Sequence, residues 1–220
     1  MNNLQWSAKS VVNNLLMLNA VMFLAQFLSP KLDAQMTQYL GLHFIQSSNF
    51  RIHQLVTYMF LHGNFSHLFF NMFALWMFGR ITEWDLGAKR FLIYYMVTGI
   101  GAGLINMGYT SFQYHQLIQQ YGMNDPNLQH YINSSVTIGA SGAVFGILLS
   151  FGMMHPNERI MLLIPPIPMK AKYFVIGYGV LKLFMGVSAN DNVAHFAHLG
   201  GIIFGIAMLL YWKKTGKIYF

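Results

Sequence analysis

Residues 139–155 read GASGAVFGILLSFGMMH, a run without a charged side chain that carries a serine at 141 and glycines at 142 and 146. Glycines four apart share one helical face. On an apolar helix, such a small-xxx-small pair marks where a second helix approaches closely within a bilayer. Read as a span, this segment brings a hydroxyl with it, and polar groups inside a membrane are functional-site candidates because their burial is costly.

Working outward, apolar helical windows recur at 11–28, 66–84, 91–112, 172–188 and 194–212, which makes six spans with 139–155. The composition agrees: 55% of the 220 residues are hydrophobic and 9% charged, and the mean hydropathy is +0.42. Soluble domains carry about 25% charged residues. Six spans of roughly 20 residues take about 120 residues and leave two larger loops, 29–65 and 111–135. No repeat, low-complexity tract or flexible linker divides the chain, so residues 1–220 read as a single domain of an all-α membrane protein, a six-transmembrane-helix bundle. The run 11–28 is too long for a signal h-region and no A-x-A site follows it, so it reads as a retained first span.

The net charge of +7 does not point to nucleic acid, because the 13 basic residues form no stripe or arm. Their distribution follows the positive-inside rule. Lys9, Arg80, Lys89, Arg90, Arg159, Lys170, Lys172, Lys213, Lys214 and Lys217 fall on one side, and Lys31 and Arg51 on the other. Both termini are therefore expected in the cytoplasm, with spans two, four and six entering from the outer side. The absence of Cys excludes a disulfide framework and a thiolate nucleophile. No H-E-x-x-H is present and the nine histidines are dispersed, so no metal and no cofactor is expected.

Four polar features sit near those three outer entrances. His67 and Asn71 share a face of span two; Gly139-Ala140-Ser141-Gly142 opens span four; Ala197-His198 in span six is followed by Gly201 and Gly205. Helix rise places His198 and Asn71 roughly 7 to 10 Å below the outer hydrocarbon edge. Alone, a G-x-S-G reads as helix packing and an isolated histidine as structural. Together they offer a serine nucleophile, a histidine base, and oxyanion donors from the Ser141 backbone N–H, the Asn71 amide and His67. His195 and His198 lie three residues apart, and the glycine register selects His198: Gly201 and Gly205 continue its stripe, whereas the same offsets from His195 meet His198 and Ile202. Asp191 reads as a helix N-cap rather than an orienting acid.

Phe60-Leu61-His62, His67-Leu68-Phe69-Phe70-Asn71-Met72, Gly139-Ala140-Ser141-Gly142 and Ala197-His198-Leu199-Gly200-Gly201 with Gly205, in this order, resemble the rhomboid intramembrane serine proteases from about Phe50 to Tyr211. The resemblance implies a six-helix core with a Ser-His dyad that cleaves transmembrane protein substrates near their outer end. In it, Ser141 resembles the nucleophile, His198 the base, His67 and Asn71 the oxyanion residues, and Glu83 a glutamate that ties the cytoplasmic end of span two to its neighbours. Phe145 stands where some bacterial members stack a tyrosine on the catalytic histidine. His53-Gln54 stands where many have Trp-Arg, and the resemblance leaves that loop's anchoring contacts and the roles of His62 and His195 unspecified. With no span after Trp212, the chain resembles the minimal six-helix form expected in a bacterial inner membrane. A transporter would spread its polar residues through the full depth of the bundle, and an inactive rhomboid-like binding protein would have lost Ser141 or His198.

Overall fold

The computed structural model describes residues 10–122, 125, 128, 132–133, 135–161, 168–188 and 193–220, with backbone alone over 181–188 and 193–195. The order is α1 (Val11–Leu28), α2 (Pro30–Leu40), β1 (Leu42–His43), α3 (Gln54–Thr57) with a 3-10 turn (Tyr58–Phe60), α4 (Phe65–Ala74), a π turn (Leu75–Gly79), α5 (Arg80–Leu86), α6 (Ala88–Tyr121), β2 (Val136–Thr137), α7 (Ser141–Met154), β3 (Arg159–Met161), β4 (Pro168–Lys170), α8 (Ala171–Ser188) and α9 (Val193–Lys214). It is an all-α membrane protein: α1, α6 and the stretch Phe196–Lys214 of α9 are each long and apolar enough to cross a bilayer, and α7 is a shorter apolar helix. Phe27 is 80% and Ile176 64% exposed, as side chains facing lipid are.

Each of the six windows coincides with a helix, and two boundaries differ from expectation. The third window was placed at 91–112, but α6 runs for 34 residues to Tyr121 and ends where Gly122 takes φ +86°. At about 1.5 Å per residue this is roughly 50 Å, well beyond a ~30 Å hydrocarbon core. Its last turns carry Gln113, Gln116, Gln119 and Gln120, which are good helix formers in water. The segment 29–65, expected as loop, contains α2 and α3. Ser29 caps α2 by accepting from Leu32 N–H, with Pro30 at the first helical position.

Helices α6, α7 and α9 pack on one another, and α7 is buried from Gly142 to Gly152. A Cβ on Gly201 would run into the Gly142 carbonyl, and one on Gly142 into Ala102 of α6. The two glycine pairs do not simply face each other. Gly146 instead receives Thr98 of α6, whose side chain would lie 2.7 Å from an added Cβ, and Gly205 admits the Tyr94 hydroxyl at 2.6 Å. That hydroxyl donates to the Gly146 carbonyl at 2.8 Å. Lipid tails give helices no hydrophobic reason to associate, so van der Waals fit and interhelical hydrogen bonds of this kind hold the bundle.

Two polar devices fix the remaining elements. At one end, Glu83 accepts from Val11 N–H (2.7 Å), Val12 N–H (3.1 Å) and the Ser10 hydroxyl (2.8 Å), capping α1 from a distance. At the other, Gln54 is fully buried. It accepts from His43 N–H and Arg51 N–H and donates to the Asn49 and Tyr39 carbonyls. His53 also reaches the Tyr39 carbonyl at 2.9 Å, so His53-Gln54 anchors this loop, alongside Arg51, whose guanidinium donates to the Ser48 and Phe50 carbonyls. The loop then pairs with the segment before α7, antiparallel, with Leu42 opposite Thr137 and His43 opposite Val136. Gln54→Ala is expected to cost about 2–4 kcal/mol, since each buried hydrogen bond contributes about 1 kcal/mol and two backbone donors lose their acceptor; chemical unfolding in detergent measures it, and an unchanged midpoint would remove Gln54 as the anchor.

Candidate active site

The site starts with how α7 begins. Gly139 has φ +126°, a conformation L side chains rarely adopt, and its N–H donates to the Tyr58 carbonyl at 2.9 Å. The His67 imidazole rests against Gly139, 2.7 Å from where a Cβ would be. Ala140 occupies the N-cap and has no side chain with which to cap. The first-turn N–H groups, including that of Ser141, are therefore left as open donors at the positive end of the helix.

Close contact between α7 and α9 brings Ser141 Oγ and His198 Nε2 to 2.8 Å. Phe145, one turn below the serine, stacks on the His198 ring at 4.3 Å between centroids and 18° between planes. Tyr178 of α8 stacks on the other side of Phe145 at 5.1 Å. This fixes the imidazole by dispersion and shape. Asn71 is buried and donates to the His67 carbonyl at 2.8 Å, leaving its second amide hydrogen for the cavity.

These groups share one cavity of about 520 Å³, lined by Ser141, His198, His67 and Asn71 together with Phe70, Phe145, Tyr178 and the extended stretch Val136–Gly139. Among the described residues, none that lines it is acidic. Asn106 of α6 donates to Thr137 Oγ1 at 2.9 Å and holds that stretch as a wall. Glu83 stands apart from the cavity, at the other end of the α4–α5 rod. Asp191 and the His195 side chain lie outside the described residues.

Several residues at the site had no signal in the sequence. Tyr58 contributes a carbonyl, which any residue offers, and Tyr178 and Asn106 act across helices far apart in the chain. His62, in the turn ahead of α4, is 2% exposed. Among the described residues neither of its ring nitrogens has a hydrogen-bond partner, and its ring meets His67 edge-on at 5.0 Å. Burial, and then the nearby His67, push the His62 imidazole down from 6.5 to about 3.

The Rhomboid domain model matches residues 49–214. The chain is 32% identical over 157 residues to Rhomboid protease AarA of Providencia stuartii, covering 67% of this chain and 51% of that protein. It is 30% identical over 156 residues to Rhomboid protein 1, mitochondrial, of Saccharomyces cerevisiae, covering 71% and 40%. It is 29% identical over 171 residues to Putative rhomboid protease YdcA of Bacillus subtilis, covering 74% and 70%. The chain spans about half the length of most of the curated relatives it matches.

Two outcomes are expected. Gly139→Ala forces a Cβ into His67 at a strained φ and should displace that ring, read as loss of the His62–His67 contact by histidine NMR. Between about pH 3 and 6.5 the unfolded chain binds a proton at residue 62 that the native chain does not. Stability therefore falls as pH drops through that window. The slope of Tm against pH from 6.5 to 4 should flatten in His62→Gln, and an equal slope in both proteins would assign the acid sensitivity elsewhere.

Proposed function

Because the chain belongs to the rhomboid family, we propose that it is an intramembrane serine endopeptidase working through a Ser141–His198 dyad on transmembrane protein substrates. The 2.8 Å approach of Ser141 Oγ to His198 Nε2 inside a cavity walled by helices carries this reading. A serine hydroxyl becomes nucleophilic when a neighbouring base takes its proton. As Oγ attacks the substrate carbonyl carbon, the proton passes to Nε2; the imidazolium then delivers it to the leaving amine. Water, deprotonated by the same nitrogen, hydrolyses the acyl-enzyme. The oxygen that becomes negative meets the Ser141 N–H, the free amide hydrogen of Asn71 and the His67 imidazole, donors organised before substrate arrives.

On the same reading residues 1–220 act as one domain, and the α4–α5 rod, α7 and α8 cross the bilayer beside α1, α6 and α9. Basic side chains cluster where α6 begins and α9 ends; by the positive-inside rule that end is cytoplasmic, together with both termini, in the inner membrane of a bacterium. The dyad then opens outward.

Ser141→Ala and His198→Ala are each expected to abolish cleavage of a transmembrane reporter and labelling by a fluorophosphonate, while His195→Ala keeps substantial activity. Wild-type turnover in Ser141→Ala would end the protease reading; inactivity confined to His195→Ala would redraw the dyad. Asn71→Ala should retain a residue of turnover, since one oxyanion donor is worth about 10² to 10³ in rate. For orientation, a Cys placed at Gly216, in a chain with no other, should resist impermeant maleimide added outside sealed cells.

A further inference from the structure

At the end of the bundle away from the dyad, a second cavity of about 520 Å³ lies between the start of α6 and the end of α9. Three cations line it, Lys89, Arg90 and Lys217, beside an apolar wall of Leu86, Ile93 and Trp212. We propose that this cavity binds the phosphate of an anionic phospholipid, with the headgroup among the three cations and the glycerol and upper acyl chain along the apolar wall.

Charge bookkeeping on neighbouring elements supports this. The two acids of α5 are engaged elsewhere, Glu83 with the start of α1 and Asp85 with His155 at 2.7 Å. Lys89 has no protein partner among the described residues, and Arg90 reaches only the Leu86 carbonyl at 3.4 Å. Lys217 is returned towards the bundle by the turn at Gly216 (φ +67°) and meets the Tyr211 ring at 5.4 Å. Among the described residues, these cations therefore face the cavity without carboxylate counterions.

The backbone adds to the same field. Helix α6 starts at this cavity behind Gly87, which has no capping side chain. A Cβ at Gly87 would meet nothing within 4 Å. Open N–H groups and the positive end of a 34-residue helix thus join the cations.

A lipid fits better than a free anion because the site lies at interface level and one wall is greasy. Trp84 is 83% and Tyr211 57% exposed at this end, the placement of aromatic residues at a membrane–water interface. Ile93 and its neighbour Leu92, each 41% exposed, carry the apolar wall onto the lipid-facing side of α6. Basic pockets between membrane helices on the cytoplasmic side are suited to anionic headgroups. This inference rests on the chain's lying in a bilayer and is independent of the dyad's chemistry.

The test is native mass spectrometry of the full chain in detergent, titrated with dioleoylphosphatidylglycerol or dioleoylphosphatidylcholine. A variant carrying Lys89→Gln, Arg90→Gln and Lys217→Gln is compared with one of the same net charge carrying Lys170→Gln, Lys172→Gln and Lys213→Gln. Each basic residue near an anionic lipid is worth roughly fivefold in binding. The cavity variant should therefore lose at least about tenfold in phosphatidylglycerol affinity, the charge-matched variant less than about threefold, and phosphatidylcholine binding should change in neither. Lys89→Gln alone, which removes a side chain without protein contacts, should lose about fivefold, so the proposal does not depend on the triple variant's folding. Equal losses in both triple variants would mean diffuse surface charge, and complete displacement of the lipid by 10 mM inorganic phosphate would mean a free-anion site; either overturns the proposal.

Discussion

The backbone of Gly201 lies directly on that of Gly142, and the rest of the site depends on this contact. It sets how far α9 stands from α7, and hence whether an imidazole on one and a hydroxyl on the other can meet. A side chain at Gly201 would push α9 away from α7, and one at Gly142 would push α7 away from Ala102 of α6. Shape complementarity of this kind is what a membrane offers in place of the hydrophobic effect. Phe145, a ring packed face to face against the imidazole, helps to hold it, in a cavity that no carboxylate lines among the described residues.

Much of this was legible in the sequence because a bilayer narrows the alternatives. Six apolar windows each fall on a helix, and the spacing of His198, Gly201 and Gly205 singled out the face of α9 that meets α7. The contacts of Gly146 and Gly205 were not legible, since they depend on Thr98 and Tyr94, residues that look like ordinary span filling. Gln54 stood out only as a departure from a family pattern, yet it carries four hydrogen bonds to three stretches of backbone. Local periodicity reports which face of an element is buried; it does not report what a buried polar side chain touches when its partner lies across a loop. The overrun of α6 has a similar cause, for glutamines extend a helix into water as readily as they form a loop.

Acidic residues are scarce, six in the chain, and three of them secure helix ends. Asp33 in the first turn of α2 receives the Gln26 amide at 2.8 Å, Glu83 caps α1, and Asp85 joins α5 to the residue after α7 through His155. Their negative charge is thus spent inside the fold, which leaves the basic end of the bundle unneutralised. Helix α8 is attached differently, through stacked rings: Tyr178 on Phe145 at 5.1 Å and Phe174 on Phe78 at 6.3 Å. Val175 of α8 adds a close approach to Gly152 of α7, 2.8 Å from where a Cβ would be.

The π turn at Leu75–Gly79 links the two ends of the molecule. Asn71 and Glu83 are separated by twelve positions, which in a regular helix would turn them about 120° apart at ~100° per residue. A π turn absorbs one extra residue and brings the offset to roughly 20–40°, so one rod faces the cavity with its amide and α1 with its carboxylate. The rod can consequently lose a single residue within that turn, reverting to plain α-helix, and keep both faces in phase. A deletion anywhere else between Asn71 and Glu83 that left the π turn in place would rotate one end against the other. In lineages descended from this chain, length variation along the rod therefore has one permissive point.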